Sequence, residues 1–217
     1  MALAIFDLDN TLIRGDSDHA FGEFLVAEGV VDAEHYLEKN DYFYQQYQAG
    51  TLDIHEYVEF ALYPFAKLSV DEITALQSKF LAERIEPILL DKAFALLQEH
   101  KDRGDFNLII SATNDIVVGP IAKRLGVDDY IATTAEFKDG KYTGKVAGTP
   151  SFQAGKITRL EAWLEHNPQS MTGSYFYSDS HNDLPLLKKV DHPVVVDADP
   201  TLLSYAEAQQ WASISLR

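Results

Sequence analysis

Short apolar runs alternate along this chain with longer stretches whose apolar residues recur at helical spacing. We predict five of the short runs as buried strands, at residues 3–6, 107–111, 130–134, 174–178 and 193–196. Amphipathic helices are predicted between them, at residues 88–100, 115–125 and 155–165. Because strands alternate with helices, we expect an α/β fold, a Rossmann-like parallel sheet with helices on both faces.

Residues 14–86 interrupt this alternation. Their pattern predicts helices at residues 32–48, 53–65 and 69–85, after a first helix that begins near Asp16, and no part of the segment has strand character. Farther along, Lys-Asp-Gly-Lys within residues 137–146 is a turn signal that predicts a β-hairpin. We therefore expect a core formed by residues 1–13 and 87–217, with a helical domain at 14–86 inserted into it.

Composition narrows the classes of partner. The formal net charge of −16 comes from 34 acidic and 18 basic residues, which disfavours nucleic acid as a partner because a phosphate backbone needs a basic surface. The absence of cysteine excludes disulfides, zinc thiolates and thiol catalysis. The first strand begins too early to leave room for a signal peptide, and no apolar run is long enough to span a membrane. We expect a cytoplasmic protein.

Polar residues with useful chemistry follow three of the predicted strands. Asp7 and Asp9 follow the first strand, Ser111 ends the second, and Asp179 follows the fourth. Because parallel strands bind ligands at their carboxyl ends, we expect these side chains at one edge of the sheet. Lys156, near the start of a helix, adds a cation. Each residue alone is a weak signal, but together they supply what phosphoryl transfer requires, namely positioning and charge neutralisation.

This set resembles the haloacid dehalogenase (HAD) superfamily of phosphohydrolases. Asp7-Leu-Asp-Asn-Thr11 is similar to the first motif of the family, Ser111 to the second, Lys156 to the third, and Asp179-Ser-His-Asn-Asp183 to the fourth. The helical insertion resembles the cap of the phosphoserine-phosphatase-like branch. Residues 175–185 look most like a bacterial subgroup associated with histidinol-phosphate phosphatase. One departure is Ser178-Asp179-Ser180, where phosphoserine phosphatases usually have Gly-Asp-Gly.

The resemblance implies a role for each motif residue. Asp7 would attack phosphorus and form an aspartyl-phosphate, and Asp9 would act as general acid and then as general base. The residues that would bind the phosphoryl group are Thr11, Ser111, Ala112, Lys156 and Asn182. A Mg²⁺ cofactor would be held by Asp7, the backbone carbonyl of Asp9, and Asp179, since oxygen ligands suit this ion. Asp183 would orient Lys156 or metal-bound water, and we interpret His181 as structural.

The inserted helices are expected to select the ester. Phosphoserine phosphatases typically carry an acid nine residues after the nucleophile, which binds the ammonium of the substrate, and Asp16 has that position here. The stretch 42–60 has no arginine or lysine to bind a carboxylate. These features favour an amino-alcohol phosphate such as histidinol phosphate, whose imidazole could stack on Tyr42 or Tyr44. Asp16 could instead be only a helix cap, and most of the tyrosines in this segment could simply pack the helices.

Several alternatives remain open from the sequence. A phosphoserine phosphatase is one alternative, and a phosphotransferase, which would share every motif, is another. A receiver-like phospho-acceptor module also combines an acidic Mg²⁺ pocket with a hydroxyl and a lysine, but it would need neither Asp9 as proton donor nor a helical cap. We expect a small phosphate ester as the partner, with no nucleic acid and no membrane. The sequence does not predict an oligomeric state.

Overall fold

A computed structural model describes residues 2–217, and a six-stranded sheet lies at its centre. Its strands, numbered in chain order with those of a separate hairpin, are β1 (Leu3–Phe6), β2 (Phe106–Asn114), β3 (Asp129–Thr133), β6 (Tyr175–Ser178), β7 (His192–Val196) and β8 (Ala212–Ile214). They lie in the order β3-β2-β1-β6-β7-β8, and every neighbouring pair is parallel. The predicted α/β class is confirmed.

Helices cover both faces of this sheet, and β1 shows why they must. All four of its side chains are buried, and they alternate between two hydrophobic clusters. Ala4 and Phe6 face the side covered by α5 (Asp91–Asp102) and α6 (Asp115–Leu125). Leu3 and Ile5 face the side covered by α7 (Ala154–Leu164), α8 (Leu184–Leu187) and α9 (Pro200–Gln209).

Four helices connect β1 to α5. They are α1 (Ser17–Ala27), α2 (Ala33–Ala49), α3 (Ile54–Leu62) and α4 (Val70–Phe80). Asp32 and Gly50 cap α2, close to the predicted bounds, because an aspartate accepts N–H groups at the start and glycine adopts the left-handed conformation at the end. An antiparallel bridge between Ile13 and Leu89 joins the two ends of this segment. We propose that it is a cap domain, although four of its phenylalanines share a cluster with the sheet, namely Phe21, Phe24, Phe65 and Phe80.

Some elements differ from those predicted. The helices predicted at 53–65 and 69–85 end earlier, at Leu62 and Phe80, and continue as a 3-10 helix and a π-helical turn. The hairpin is present as β4 (Ala135–Lys138) and β5 (Lys141–Val146), with Asp139 and Gly140 both at positive φ in its turn. Strand β8 and helices α8 and α9 were not predicted. Within residues 2–217, no helix is both long and apolar enough to cross a membrane.

Candidate active site

Asp7 lies at the centre of the site, directly after β1. Its Oδ1 accepts a hydrogen bond of 2.8 Å from Lys156 Nζ, and the same ammonium lies 2.7 Å from Asp183 Oδ1. All three side chains are buried. Burial raises the pKa of Asp7 to about 7, and the nearby Lys156 opposes this rise. The fold therefore brings Asp7, Lys156 and Asp183 together from distant parts of the chain.

Asp9 is held by two different elements. Its Oδ1 accepts from the backbone N–H of Ser17 at 2.6 Å, and its Oδ2 accepts from Thr113 Oγ1 at 2.9 Å and Ser111 Oγ at 3.5 Å. Burial raises the pKa of Asp9 to about 7, and the charge of Asp16 adds to the rise. The carboxyl is thus fixed at one orientation, with a pKa suited to exchanging protons near neutral pH.

Thr11 joins the first and fourth motifs. Its hydroxyl donates to Asp179 Oδ1 at 3.3 Å and accepts from the backbone N–H of Asp179 at 3.1 Å. Burial and the charges of Asp7 and Asp183 raise the pKa of Asp179 well above its ordinary value. The predicted role of Thr11 in binding phosphate stays a prediction, because its hydroxyl here fixes the loop that carries Asp179.

The acids of this centre outnumber its cations. In the described part of the chain, residues 2–217, Lys156 is the one cation that pairs with this centre, where it bonds to Asp7 and Asp183; Asp179 lies close to both acids, so that a divalent cation would restore neutrality. Among residues 2–217, no three acidic or histidine side chains gather into a metal cage. The predicted Mg²⁺ set of Asp7, Asp179 and the Asp9 carbonyl fits this centre only with further ligands from water or substrate, which is usual for Mg²⁺.

We predicted that Asn182 binds the phosphoryl group, but its side chain contacts the inserted helices. Its Nδ2 donates to the carbonyl of Tyr47 at 3.0 Å, and its Oδ1 accepts from Gln153 Nε2 at 3.0 Å. Its amide group is therefore occupied on both sides by protein. We predicted a structural role for His181, and its Nδ1 lies 2.9 Å from Asp199 Oδ2.

A cavity opens between this centre and helices α1 to α3. Asp7, Asp9, Ser111 and Ala112 line its inner end. Its outer wall carries three further acidic or imidazole side chains, Asn40 and six apolar or aromatic ones: Asp16, Asp18, His19, Asn40, Phe43, Tyr44, Tyr47, Leu52, Ile54 and Tyr57. Within the described range 2–217, no lysine or arginine lines it. The cavity therefore suits a ligand that is a phosphate at one end and a cation at the other.

Asp16 caps a helix and lines the cavity, so its role in binding a substrate ammonium stays a prediction. Its Oδ1 accepts the backbone N–H groups of Asp18 and His19, so it caps α1, and it also lines the cavity. Burial raises the pKa of Asp16 to about 6, while the His19 N–H opposes the rise.

Tyr42 requires a correction. Its side chain is 51% exposed and packs edge-on against Phe43, outside the cavity. The residues of α2 that do line the cavity, Asn40, Phe43, Tyr44 and Tyr47, follow the i, i+3, i+4, i+7 spacing of one helix face, and Tyr42 lies off that face. Tyr44 lines the cavity, and its role in substrate binding stays a prediction, whereas Tyr42 is not near enough to stack on a ligand in the cavity.

The sequence reasoning missed several residues of the site. Thr113 is one, although Ser-Ala-Thr at 111–113 puts its hydroxyl two residues after Ser111 and thus on the same side of the strand. Asp18 and Tyr57 are others. Asp18 could have been found from its position two residues after Asp16, but nothing in the sequence alone indicates that Tyr57 faces the same cavity.

Comparison with known proteins agrees with this geometry. Residues 4–188 match the family model of haloacid dehalogenase-like hydrolases. A histidinol-phosphatase from Neisseria meningitidis is 42% identical, and the alignment covers 99% of each chain. A phosphoserine phosphatase from Mycobacterium tuberculosis is 32% identical, over 97% of this chain and 69% of that protein.

Solved structures extend the comparison. A Bordetella pertussis protein with unknown function superposes with a TM-score of 0.94 at 38% identity, covering 100% of this chain and 99% of that one. A substrate-bound phosphoserine phosphatase matches with a TM-score of 0.72 at 22% identity, over 98% of this chain and 92% of that one, which shows a shared fold. Fold, site and relatives together define an α/β phosphatase. The chain belongs to the haloacid dehalogenase-like hydrolase family.

Proposed function

We propose that this phosphatase hydrolyses a small amine-bearing phosphate monoester, with histidinol phosphate as the best candidate, through an aspartyl-phosphate at Asp7. The observation that carries the proposal is the cavity itself. Asp7, which bonds to Lys156, lies at its inner end, and carboxylates lie on its outer wall. No lysine or arginine of residues 2–217 lines the cavity. The relative that is 42% identical is named a histidinol-phosphatase, which supports the same substrate.

The proposed reaction has two displacements at phosphorus. A carboxylate oxygen of Asp7 bonds to phosphorus as the ester oxygen leaves, and Asp9 gives its proton to that alkoxide. Asp9 then takes a proton from water, whose oxygen attacks phosphorus and releases inorganic phosphate and the Asp7 carboxylate. Lys156 neutralises charge on the phosphoryl oxygens and Ser111 donates a hydrogen bond to them, with Thr11 and the backbone at Ala112 nearby. A bound Mg²⁺ would supply further charge neutralisation.

The acidic side chains that line the cavity favour an ester without a carboxylate. Asp16 offers a partner for an ammonium, whereas a substrate carboxylate would enter a cavity that already holds Asp9, Asp16 and Asp18. Leaving a buried charge without a partner costs several kcal/mol, and each ~1.4 kcal/mol is a factor of ten in relative rate constant. Histidinol phosphate avoids that cost, and Tyr44 offers a ring beside its imidazole.

Phosphoserine is the second candidate, because one relative is named a phosphoserine phosphatase. Phosphate release from histidinol phosphate and from phosphoserine, measured at matched concentrations, separates the two. We expect kcat/KM to favour histidinol phosphate by at least about tenfold. Equal rates, or faster release from phosphoserine, would return the assignment to phosphoserine phosphatase. Adding a competing alcohol and assaying its phosphate ester tests the phosphotransferase alternative. The receiver-like alternative gives way to the phosphatase class that the relatives define.

A further inference from the structure

Asp18 is an acidic residue of the cavity that the proposed reaction leaves without a role. It lies on the first turn of α1, partly buried, and lines the cavity beside Asp16. Asn114 Nδ2 lies 3.4 Å from its Oδ1, and the Tyr57 hydroxyl is close enough to lower the pKa of the carboxyl. Among residues 2–217, no lysine or arginine forms an ion pair with it.

The surroundings of Asp18 are aromatic. The rings of Phe43 and Tyr57 meet edge to face with their centroids 5.4 Å apart, and both line the cavity. Tyr44 lies on the same wall, with its ring centroid 4.7 Å from that of His19. Aromatic faces favour cations and flat rings, and a buried carboxylate favours a donor that carries positive charge.

Burying a carboxylate at position 18 costs folding free energy. Burial is the main cause that raises the pKa of Asp18 to about 7, against the opposing effect of Tyr57. An apolar or amide side chain at this position would avoid that cost, since helix α1 is already capped by Asp16. The charge of Asp9 raises the pKa of Asp18 further, so this acid at the inner end of the cavity does not stabilise the charged form of Asp18. A cationic ligand group would supply the missing partner.

We propose that Asp18 is a second recognition carboxylate, which binds a second N–H donor of the leaving alcohol while Asp16 binds its ammonium. The substrate class is then the phosphate esters of amino alcohols that carry an additional basic group, as an imidazole does. This inference rests on the proposed function and sharpens it. It assigns the wall formed by Phe43, Tyr44 and Tyr57 to the ring that bears this basic group.

A matched pair of substrates isolates this role. Histidinol phosphate and phenylalaninol phosphate share the amine and the phosphate, but the phenyl ring has no nitrogen. We expect the wild-type enzyme to prefer histidinol phosphate, and Asp18→Asn to lower the ratio of the two kcat/KM values by at least about tenfold, mainly through KM for histidinol phosphate. Asp16→Asn should lower both values together. Glu23→Gln is the control, because it removes one acid from the exposed side of the same helix, and it should preserve the ratio.

A structural role for Asp18 predicts a different result, in which Asp18→Asn lowers kcat/KM for both esters by the same factor. That result, or a wild-type enzyme that does not distinguish the esters, overturns the inference. Should Asp18→Asn fail to fold, Tyr57→Phe decides in its place. It keeps the ring and removes the hydroxyl beside Asp18, so the ratio should fall, and an unchanged ratio contradicts the inference.

The same data separate this inference from the proposed function. If the wild-type enzyme releases phosphate from phosphoserine as fast as from histidinol phosphate, the proposed function fails and the inference fails with it. If the wild-type enzyme prefers histidinol phosphate while Asp18→Asn keeps the ratio, the proposed function stands and only the role of Asp18 is lost.

Discussion

At the scale of single residues, the site depends on one buried cation. Lys156 bonds to both Asp7 and Asp183, and Asp183 also accepts a hydrogen bond of 2.7 Å from Ser178 Oγ. Breaking a buried pair is costly because the remaining charge is left without compensation. Lys156 therefore has a structural role as well as the proposed catalytic one.

We expect Lys156→Met, studied in the presence of chelator, to lower the free energy of unfolding by about 3–5 kcal/mol. Lys189→Met is the matched control. Lys189 is half exposed and lies 3.5 Å from Glu161, so its loss should cost no more than about 1 kcal/mol. Urea denaturation of the two variants measures both values. Similar losses in the two variants would show that the Lys156 pairs do not stabilise the fold.

The sequence allowed the positions of some site residues to be predicted, but not those of others. Asp7, Lys156 and Asp179 were predictable because each follows a strand or begins a helix, and parallel strands direct those ends to one edge. Tyr42 was misplaced because its position on α2 depends on the phase of the helix, which the aromatic-rich sequence obscures. Tyr57 was not predictable, because the packing of α3 against α1 and α2 decides where its ring points.

At the scale of elements, the end of α2 is the joint between the inserted helices and the fourth motif. Asn182 bonds to the carbonyl of Tyr47, and the ring of Tyr47 lies 6.0 Å from that of Phe152. Gly50 ends α2 at φ 71°, and a Cβ there would lie 2.8 Å from His181 Nε2. A glycine is thus required both by the backbone conformation and by the close approach of the core.

Comparing Gly50 with Gly126 separates the effect of the backbone conformation from that of the close approach. Gly126 ends α6 at φ 72°, and nothing lies within 4 Å of where its Cβ would be. We expect Gly126→Ala to cost about 1 kcal/mol of stability through backbone strain alone, with normal activity. Gly50→Ala should cost more and should also lower kcat/KM, because it displaces the segment that carries Asp179. Thermal unfolding and phosphate release report the two effects, and equal results for both variants would contradict this account of the joint.

Local signals also explain which elements were predictable. Helix α6 has the bounds predicted for it, since Asn114 caps its start and Gly126 its end. Strand β8 was not predicted, because Ala-Ser-Ile is too short to show a pattern and its place is decided by pairing with β7. The extension of β2 to Asn114 likewise depends on β3, whose register shifts between Ile110 and Asn114.

At the scale of the whole molecule, negative charge is concentrated where a cation is proposed to bind. The net charge is −16, and it includes the buried acids Asp7 and Asp183, which share Lys156, and the neighbouring Asp179. Self-repulsion of this kind destabilises a compact state, and a ligand that binds only the folded state stabilises it. Metal binding should therefore be measurable as stability, independently of turnover.

Removing the metal gives a test at this scale. At a Mg²⁺ concentration of 100 times its Kd, the stabilisation is about 2.7 kcal/mol, which raises Tm by roughly 5–10 °C for a chain of this size. Sodium at equal ionic strength should not reproduce it. Asp179→Asn should be at least as stable as the wild-type protein in chelator, because one buried acid is gone, yet gain less from Mg²⁺. The opposite order would contradict the metal assignment.

The most direct measurement of the central claim is capture of the phosphoryl group on the protein. The wild-type enzyme is mixed with histidinol phosphate in excess, quenched in acid within one turnover, and mapped by peptide mass spectrometry. We expect one phosphoryl group on the peptide that contains Asp7, fewer modified molecules when phosphoserine replaces histidinol phosphate, and none in a folded Asp7→Asn variant. Rapid turnover of histidinol phosphate with Asp7 unmodified, or normal turnover by Asp7→Asn, would contradict the account.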